Sequence, residues 1–248
     1  PDYYAPGSGC LLQDKMGFST IGALDIRVQC SGFIYGLSIA NQYIKTGTYD
    51  NILVVGAEVQ STALNLSNDG RDTAVIFADG AGAAIVSNTL SNEGILTTRL
   101  CSEGQFAKEL WVESPSSAAG YPRLTEQDIS EGKHYLKMNG KTVFKNAVKR
   151  FPEVIKDSLS TVGMTIKDID LLIPHQANIR IIEMVQKKLE LKEDQVFSNI
   201  HKYGNTTAAS IPIALGEAIE QDKINKGDIV VLAAFGSGFT WGATVIKW

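Results

Sequence analysis

The sequence predicts an α/β protein with largely parallel sheets, on three observations. Short apolar runs of strand character alternate with longer runs at helical spacing. Residues 51–56 (NILVVG) form a continuous apolar run, as expected of a strand covered on both faces. The chain closes on two strand-like runs, 228–235 and 240–247. They are joined only by Gly236-Ser237-Gly238, which implies an antiparallel hairpin at one sheet edge.

Taken in order, residues 21–28 (IGALDIRV) read as a strand and 31–45 as a helix. In that helix Phe33, Ile34, Leu37, Ile39, Ala40, Tyr43 and Ile44 fall at helical spacing, and Gly47 serves as the C-terminal glycine. Residues 83–86 and 95–100 are further strands. Beyond Glu103 the pattern dissolves, as far as Lys133, into polar sequence with Ser, Gly and Pro (ESPSSAAGYPRL). This reads as a long excursion or lid, and loops of that length are often functional. A helix follows over 140–162, with Val143, Phe144, Ala147, Val148, Phe151, Val154, Ile155 and Leu159 on one side. Pro152 inside it is expected to bend or divide it. Then come a strand over 168–174, a helix over 179–189, a short strand over 195–200 and a helix over 208–219, with Pro212 close to its first turn. The chain divides naturally into 1–103, the excursion 104–133, and 134–248.

Composition narrows the class. Of 248 residues 44% are hydrophobic and 20% charged, with a net charge of −4. Charges of both signs are interspersed, so no basic field points to nucleic acid or an anionic membrane. No apolar run reaches the ~18 residues that span a bilayer. Cys10, Cys30 and Cys101 are odd in number and irregular in spacing, against a disulfide framework or a metal site. A cytoplasmic protein without a metal is expected. The sequence opens on Pro1 in a loop-like stretch (PDYYAPGSG), so a preceding segment is expected to be missing or separate.

Three junctions carry reactive side chains. Cys30 lies where a strand is expected to end and a helix to begin, a position whose free N–H groups lower a thiol pKa and favour the thiolate. His175, in Pro174-His175-Gln176-Ala177-Asn178, follows an apolar strand, the usual location of ligand chemistry in α/β sheets. Asn205, in Tyr203-Gly204-Asn205-Thr206-Thr207-Ala208-Ala209-Ser210, precedes a helix. Phe235-Gly236-Ser237-Gly238-Phe239 sets small residues in a tight turn, where a backbone N–H can face a developing oxyanion. Each also fits a structural role: a core cysteine, a hydrogen-bonded histidine, a capping asparagine, a hairpin turn. Periodicity alone does not decide between them. Cys10, Cys101, His134 and His201 sit at weaker positions.

These stretches, in this order, resemble β-ketoacyl-[acyl-carrier-protein] synthase III. The match rests on Val28-Gln29-Cys30-Ser31-Gly32-Phe33, Val75-Ile76-Phe77-Ala78-Asp79-Gly80-Ala81-Gly82-Ala83-Ala84, Ile173-Pro174-His175-Gln176-Ala177-Asn178, Lys202-Tyr203-Gly204-Asn205-Thr206-Thr207-Ala208-Ala209-Ser210-Ile211-Pro212 and Phe235-Gly236-Ser237-Gly238-Phe239-Thr240-Trp241-Gly242. It covers most of the chain and lacks the family's N-terminal portion. The resemblance implies a thiolase fold, five-layered αβαβα with two mixed sheets, in a homodimer whose partner is reached by the loop near Pro1–Pro6. The nucleophile half would end near residue 103, and 134–248 would carry His and Asn. Cys30 would be the acylated nucleophile, with His175 and Asn205 stabilising the enolate left by malonyl decarboxylation. The backbone N–H groups of Cys30 and Ser237 would form the oxyanion hole, and Phe77 would line the acyl pocket. Arg71 would lie near the coenzyme A entrance. Lys145, Arg180, Lys187 and Lys188 would meet the acidic acyl carrier protein. The implied reaction is a decarboxylative Claisen condensation of an acyl-CoA primer with malonyl-ACP. It needs no cofactor beyond the CoA and phosphopantetheine thioesters that are its substrates. The excursion is longer than in common relatives, and Ser237 stands where many of them carry glycine.

Other classes fit less well. Gly80-Ala81-Gly82-Ala83-Ala84 lacks the third glycine of a dinucleotide fingerprint. No papain-type sequence surrounds Cys30. The serious alternative is a related acyltransferase or thioesterase of secondary metabolism that uses the same Cys, His and Asn.

Overall fold

A computed structural model describes the backbone of residues 1–248 and every side chain except that of Ala119. The elements run α1 (Ser8–Lys15), α2 (Gly32–Lys45), β1 (Asn51–Glu58), α3 (Arg71–Ala74), β2 (Gly80–Ser87), β3 (Gly94–Ser102), β4 (Leu110–Trp111) and α4 (Glu126–Ser130). They continue with β5 (Lys137–Met138), α5 (Gly140–Ser160), β6 (Leu171–Pro174), α6 (Ile179–Leu189), α7 (Ile200–Tyr203), α8 (Ser210–Glu220), β7 (Ile229–Gly236) and β8 (Thr240–Lys247). Among the described residues no helix is long and apolar enough to cross a membrane.

β7 (IVVLAAFG) is buried along its whole length, because both of its faces are covered. Val231, Ala233 and Phe235 pack with Phe151, Val154, Ile155 and Leu159 of α5 and Ile181 and Val185 of α6. Val230, Leu232 and Ala234 pack with Phe33, Ile34 and Leu37 of α2 and Ile211, Ala214 and Leu215 of α8. The sheet order is β3-β8-β7-β6, and β1 pairs with β2 in a second sheet. The helices α2 and α8 lie between the two sheets, so the layers follow an α–β–α–β succession. The outer face of the β1–β2 sheet is exposed at Leu53, Val55 and Ile85.

Several expectations are corrected here. Only β6 and β7 run parallel; β3–β8, β7–β8 and β1–β2 are antiparallel. The final hairpin stands at the centre of its sheet, since β3 adds to β8 and β6 to β7. The 51–56 run is covered on one face only: Val54 and Gly56 are buried while Leu53 and Val55 are exposed. Residues 21–28 form no strand, because no neighbouring strand among the described residues offers them a ladder, and Ile21 and Leu24 are exposed. The expected strand at 195–200 reduces to a single bridge between Val196 and Leu172. After it the chain turns away, with Ser198 and Asn199 donating to the Gln176 side chain. The helix expected over 208–219 begins at Ser210, after a 3₁₀ turn over Thr207–Ala209.

Pro152 does not divide α5. Its missing N–H leaves the Val148 carbonyl without its usual helical partner. Lys188 of α6 supplies one instead, its Nζ donating to Val148 O at 3.0 Å. The excursion is not featureless either. Phe106 stacks on Phe239 at 5.0 Å, β4 pairs with β5, and Thr125 and Asp128 form a capping box at α4.

Candidate active site

Cys30 sits in the turn just before α2 and is 4% exposed. The turn is closed by Gly32 N–H donating to Gln29 O at 2.8 Å, and Ser31 Oγ ties it to Thr240 O at 2.9 Å. The end of β7 approaches so closely that only glycine fits at 236. A Cβ there would lie 2.4 Å from Cys30 Cβ and 2.7 Å from its Sγ. The expectation of a lowered thiol pKa is overturned. Burial, with the Glu58 carboxylate adding to it, pushes the thiol up to about 12. The N–H groups of Ser237 and of Cys30 itself point at the sulfur and oppose this, but loss of water outweighs them. At rest the Cys30 side chain is a thiol.

His175 directly follows β6, and its N–H donates to Ala233 O at 2.7 Å. Its Nδ1 lies 2.6 Å from Ser210 Oγ, and that same oxygen accepts the Gln176 N–H at 3.2 Å. The Ser210 hydroxyl holds Nδ1 and is able to donate to it, an arrangement compatible with the tautomer that carries its proton on Nε2. Nε2 is buried and has no partner among the described residues. Burial lowers the His175 pKa to about 3, so the ring is neutral when folded. The unfolded chain, with an ordinary histidine pKa near ~6.5, takes up that proton first. Stability carried by His175 is therefore intact above about pH 6.5 and is lost as pH falls toward 3, by up to ~1.4 kcal/mol per unit. Urea unfolding from pH 7 to 4 should show this slope reduced in His175→Asn. An unchanged slope contradicts the assignment.

Asn205 is clamped through its main chain, donating to Ile76 O and accepting from Ala78 N–H, both at 2.9 Å. Its Oδ1 accepts Thr207 N–H at 2.9 Å, and its Nδ2 reaches Ala177 O only at 3.5 Å. The Asn205 side chain, Cys30 and His175 line one cavity of about 130 Å³, walled by Phe77, Leu110, Val143, Phe144, Phe151 and Phe235. Ser237 holds its turn to this wall, its Oγ donating to Leu110 O at 2.5 Å.

Four of the expected residues thus meet, Cys30, His175, Asn205 and Phe77, with the Ser237 N–H directed at the sulfur. The basic residues do not line this cavity. Arg71 is exposed on α3, Lys145 on α5, and Arg180 and Lys187 on α6. Lys188, bonded to Val148 O, lines a separate concavity with Lys156, Lys167 and Lys192. Among the described residues no group of metal-ligating side chains is gathered. Ser210, Gly236, Glu58 and Leu110 were not singled out from the sequence. Ser210 and Gly236 do stand inside the stretches that carry Asn205 and Ser237. Glu58 and Leu110 carry no local signal.

Comparison with known proteins identifies the family. The sequence profile described as 3-oxoacyl-[acyl-carrier-protein (ACP)] synthase III matches residues 24–104, and its C-terminal counterpart matches 159–248. β-Ketoacyl-[acyl-carrier-protein] synthase III of Caldanaerobacter subterraneus is 46% identical over 248 residues, all of this chain and 73% of that protein. The Clostridioides difficile synthase III is 46% identical, again over the whole chain and 74% of its relative. The crystal structure of 3-oxoacyl-[acyl-carrier-protein] synthase III from Aquifex aeolicus superimposes with a TM-score of 0.90 at 40% identity, covering all of this chain and 74% of that one. The fold is therefore the thiolase fold of these enzymes, and the chain belongs to the β-ketoacyl-[acyl-carrier-protein] synthase III family of condensing acyltransferases of fatty acid synthesis.

Proposed function

We propose that the protein condenses an acyl-CoA primer with malonyl-ACP through an acyl-Cys30 intermediate, giving 3-oxoacyl-ACP. The observation that carries this reading is the shared cavity, into which a buried thiol, an unpartnered imidazole Nε2 and an oriented carboxamide all open. In the first half-reaction Cys30 Sγ bonds to the primer carbonyl, the bond to CoA sulfur breaks, and the thiol proton leaves with CoA. The N–H groups of Ser237 and Cys30 hold the oxyanion. In the second, malonyl-ACP loses CO₂. The electron pair of the broken C–C bond passes into an enolate whose oxygen accepts hydrogen bonds from His175 Nε2–H and Asn205 Nδ2. A neutral His175 suits this, since it donates without carrying charge into an apolar cavity. The carbanion then attacks the acyl-Cys30 carbonyl, and the sulfur leaves to regain a proton.

On this reading no cofactor is required. Arg71 meets CoA, while Lys145, Arg180 and Lys187 meet the acidic carrier protein by charge complementarity. Lys188 keeps a share in docking beside its bond to Val148. A cytoplasmic homodimer completes the proposal. The test follows the products from acetyl-CoA and malonyl-ACP by mass. Formation of 3-oxoacyl-ACP with release of CO₂ and CoA is expected. Release of acetate, or transfer of acetyl without a new C–C bond, would replace the reading with a thioesterase or simple acyltransferase.

A further inference from the structure

The Asn205 amide is useful only while its Nδ2 is aimed into the cavity, and what aims it is the turn that follows. Thr207, whose N–H holds Asn205 Oδ1, has φ 44°, in the left-handed region that a β-branched residue occupies only under strain. Such a turn persists only if its surroundings fix it. The next residue, Ala208, donates its N–H to Glu58 Oε1 at 3.2 Å. Glu58 ends β1, and β1 is seated against the same turn: a Cβ on Gly56 would lie 2.7 Å from Ala208 O. Among the described residues Glu58 forms no ion pair, although burial already raises its carboxyl pKa. A half-buried carboxylate without an ion pair beside a reactive cavity points to a role there.

We propose that Glu58 is a positioning residue for the decarboxylating half-reaction: it holds the Thr207–Ala208 turn and, through Thr207 N–H, keeps the Asn205 amide aimed at the malonyl thioester. This rests on the role given to Asn205 above. It adds that β1, which contributes no residue to the cavity lining, supports the second half-reaction by positioning, while its Glu58 charge opposes the thiolate in the first.

The experiment times the two half-reactions separately in wild type, Glu58→Ala, Glu58→Gln and Asn205→Ala. Acyl transfer from acetyl-CoA to Cys30 is followed by intact mass, and CO₂ release is followed on adding malonyl-ACP. Glu58→Ala should slow CO₂ release by about 10-fold to 100-fold, as expected for a misplaced catalytic group, while acyl transfer should not fall, because losing the carboxylate removes a charge that raises the Cys30 thiol pKa. Preserved acyl transfer shows in the same sample that the variant is folded. Glu58→Gln keeps an oxygen able to accept the Ala208 N–H, and should restore most of the lost rate. Equal loss in both half-reactions, an unchanged CO₂ rate in Glu58→Ala, or no recovery in Glu58→Gln would each overturn the proposal. A wild type that takes up no acyl group, or an Asn205→Ala with wild-type CO₂ release, would remove the functional reading and the role of Glu58 with it.

Discussion

Gly236→Ala should all but abolish acylation of Cys30, by more than about 100-fold, in a protein that still folds. The added methyl would have to share space with Cys30 Cβ at 2.4 Å and Sγ at 2.7 Å. Neither neighbour yields easily. The sulfur is packed at 4% exposure, and the Cys30 turn is pinned to β8 by the Ser31 hydroxyl. The end of β7 also carries the turn that presents the Ser237 N–H, so Cys30 and the N–H directed at its sulfur would be displaced together. Ser237→Ala is the matched control. It keeps the backbone donor and loses only the hydroxyl bond to Leu110 O, so acylation should stay within a few-fold of wild type. The rate of acyl-adduct formation by intact mass, with circular dichroism for folding, checks both variants. Wild-type acylation in Gly236→Ala would contradict the geometry.

His175→Ala and Asn205→Ala should split the reaction in two. On the proposed mechanism each removes one donor to the enolate oxygen, and loss of one oxyanion-type donor lowers a rate by about 10²–10³. Acyl transfer to Cys30 uses different donors and should fall by less than ~10-fold. Because both groups serve one oxygen, the double variant should lose less than the product of the single losses. Burst-phase CoA release reports the first half-reaction and CO₂ from malonyl-ACP the second. Equal losses in the two would show that His175 and Asn205 act on acylation as well, and the division of labour would fall.

The fold was legible where one residue run met its own partners. The helices α2, α5 and α6 and the strands β7 and β8 follow from periodicity, since Phe33, Phe151, Ile181 and Val231 each face a core that their own spacing announces. What periodicity does not carry is which neighbour a strand finds. Residues 21–28 alternate as a strand should and form none, because pairing belongs to the neighbour as much as to the run. The hairpin at 236–239 is local and visible. Its central place depends on Thr98 and the rest of β3 pairing with β8 across more than a hundred residues. Pro152 illustrates the same limit, for its effect on α5 is offset by Lys188 from another helix.

The site was legible in its reactive atoms and illegible in their environment. Cys30, His175 and Asn205 stand in stretches that resemble a known family, and the structure gathers them around one cavity. A thiol pKa depends on burial, which a strand–helix junction does not report. Cys30 reads as activated in sequence and is suppressed in the fold. Ser210, which holds the His175 ring, and Glu58, which bonds the turn after Asn205, act through single hydrogen bonds between distant segments.

The central claim is that Cys30 carries the acyl group that malonyl-ACP discharges. Intact-protein mass of wild type and Cys30→Ala, taken after acetyl-CoA and again after malonyl-ACP, tests it directly. A single acetyl adduct on wild type, absent from Cys30→Ala and converted to acetoacetyl-ACP on adding malonyl-ACP, is the predicted result. An adduct that persists in Cys30→Ala, or none with acyl-CoA of any chain length, would contradict the account.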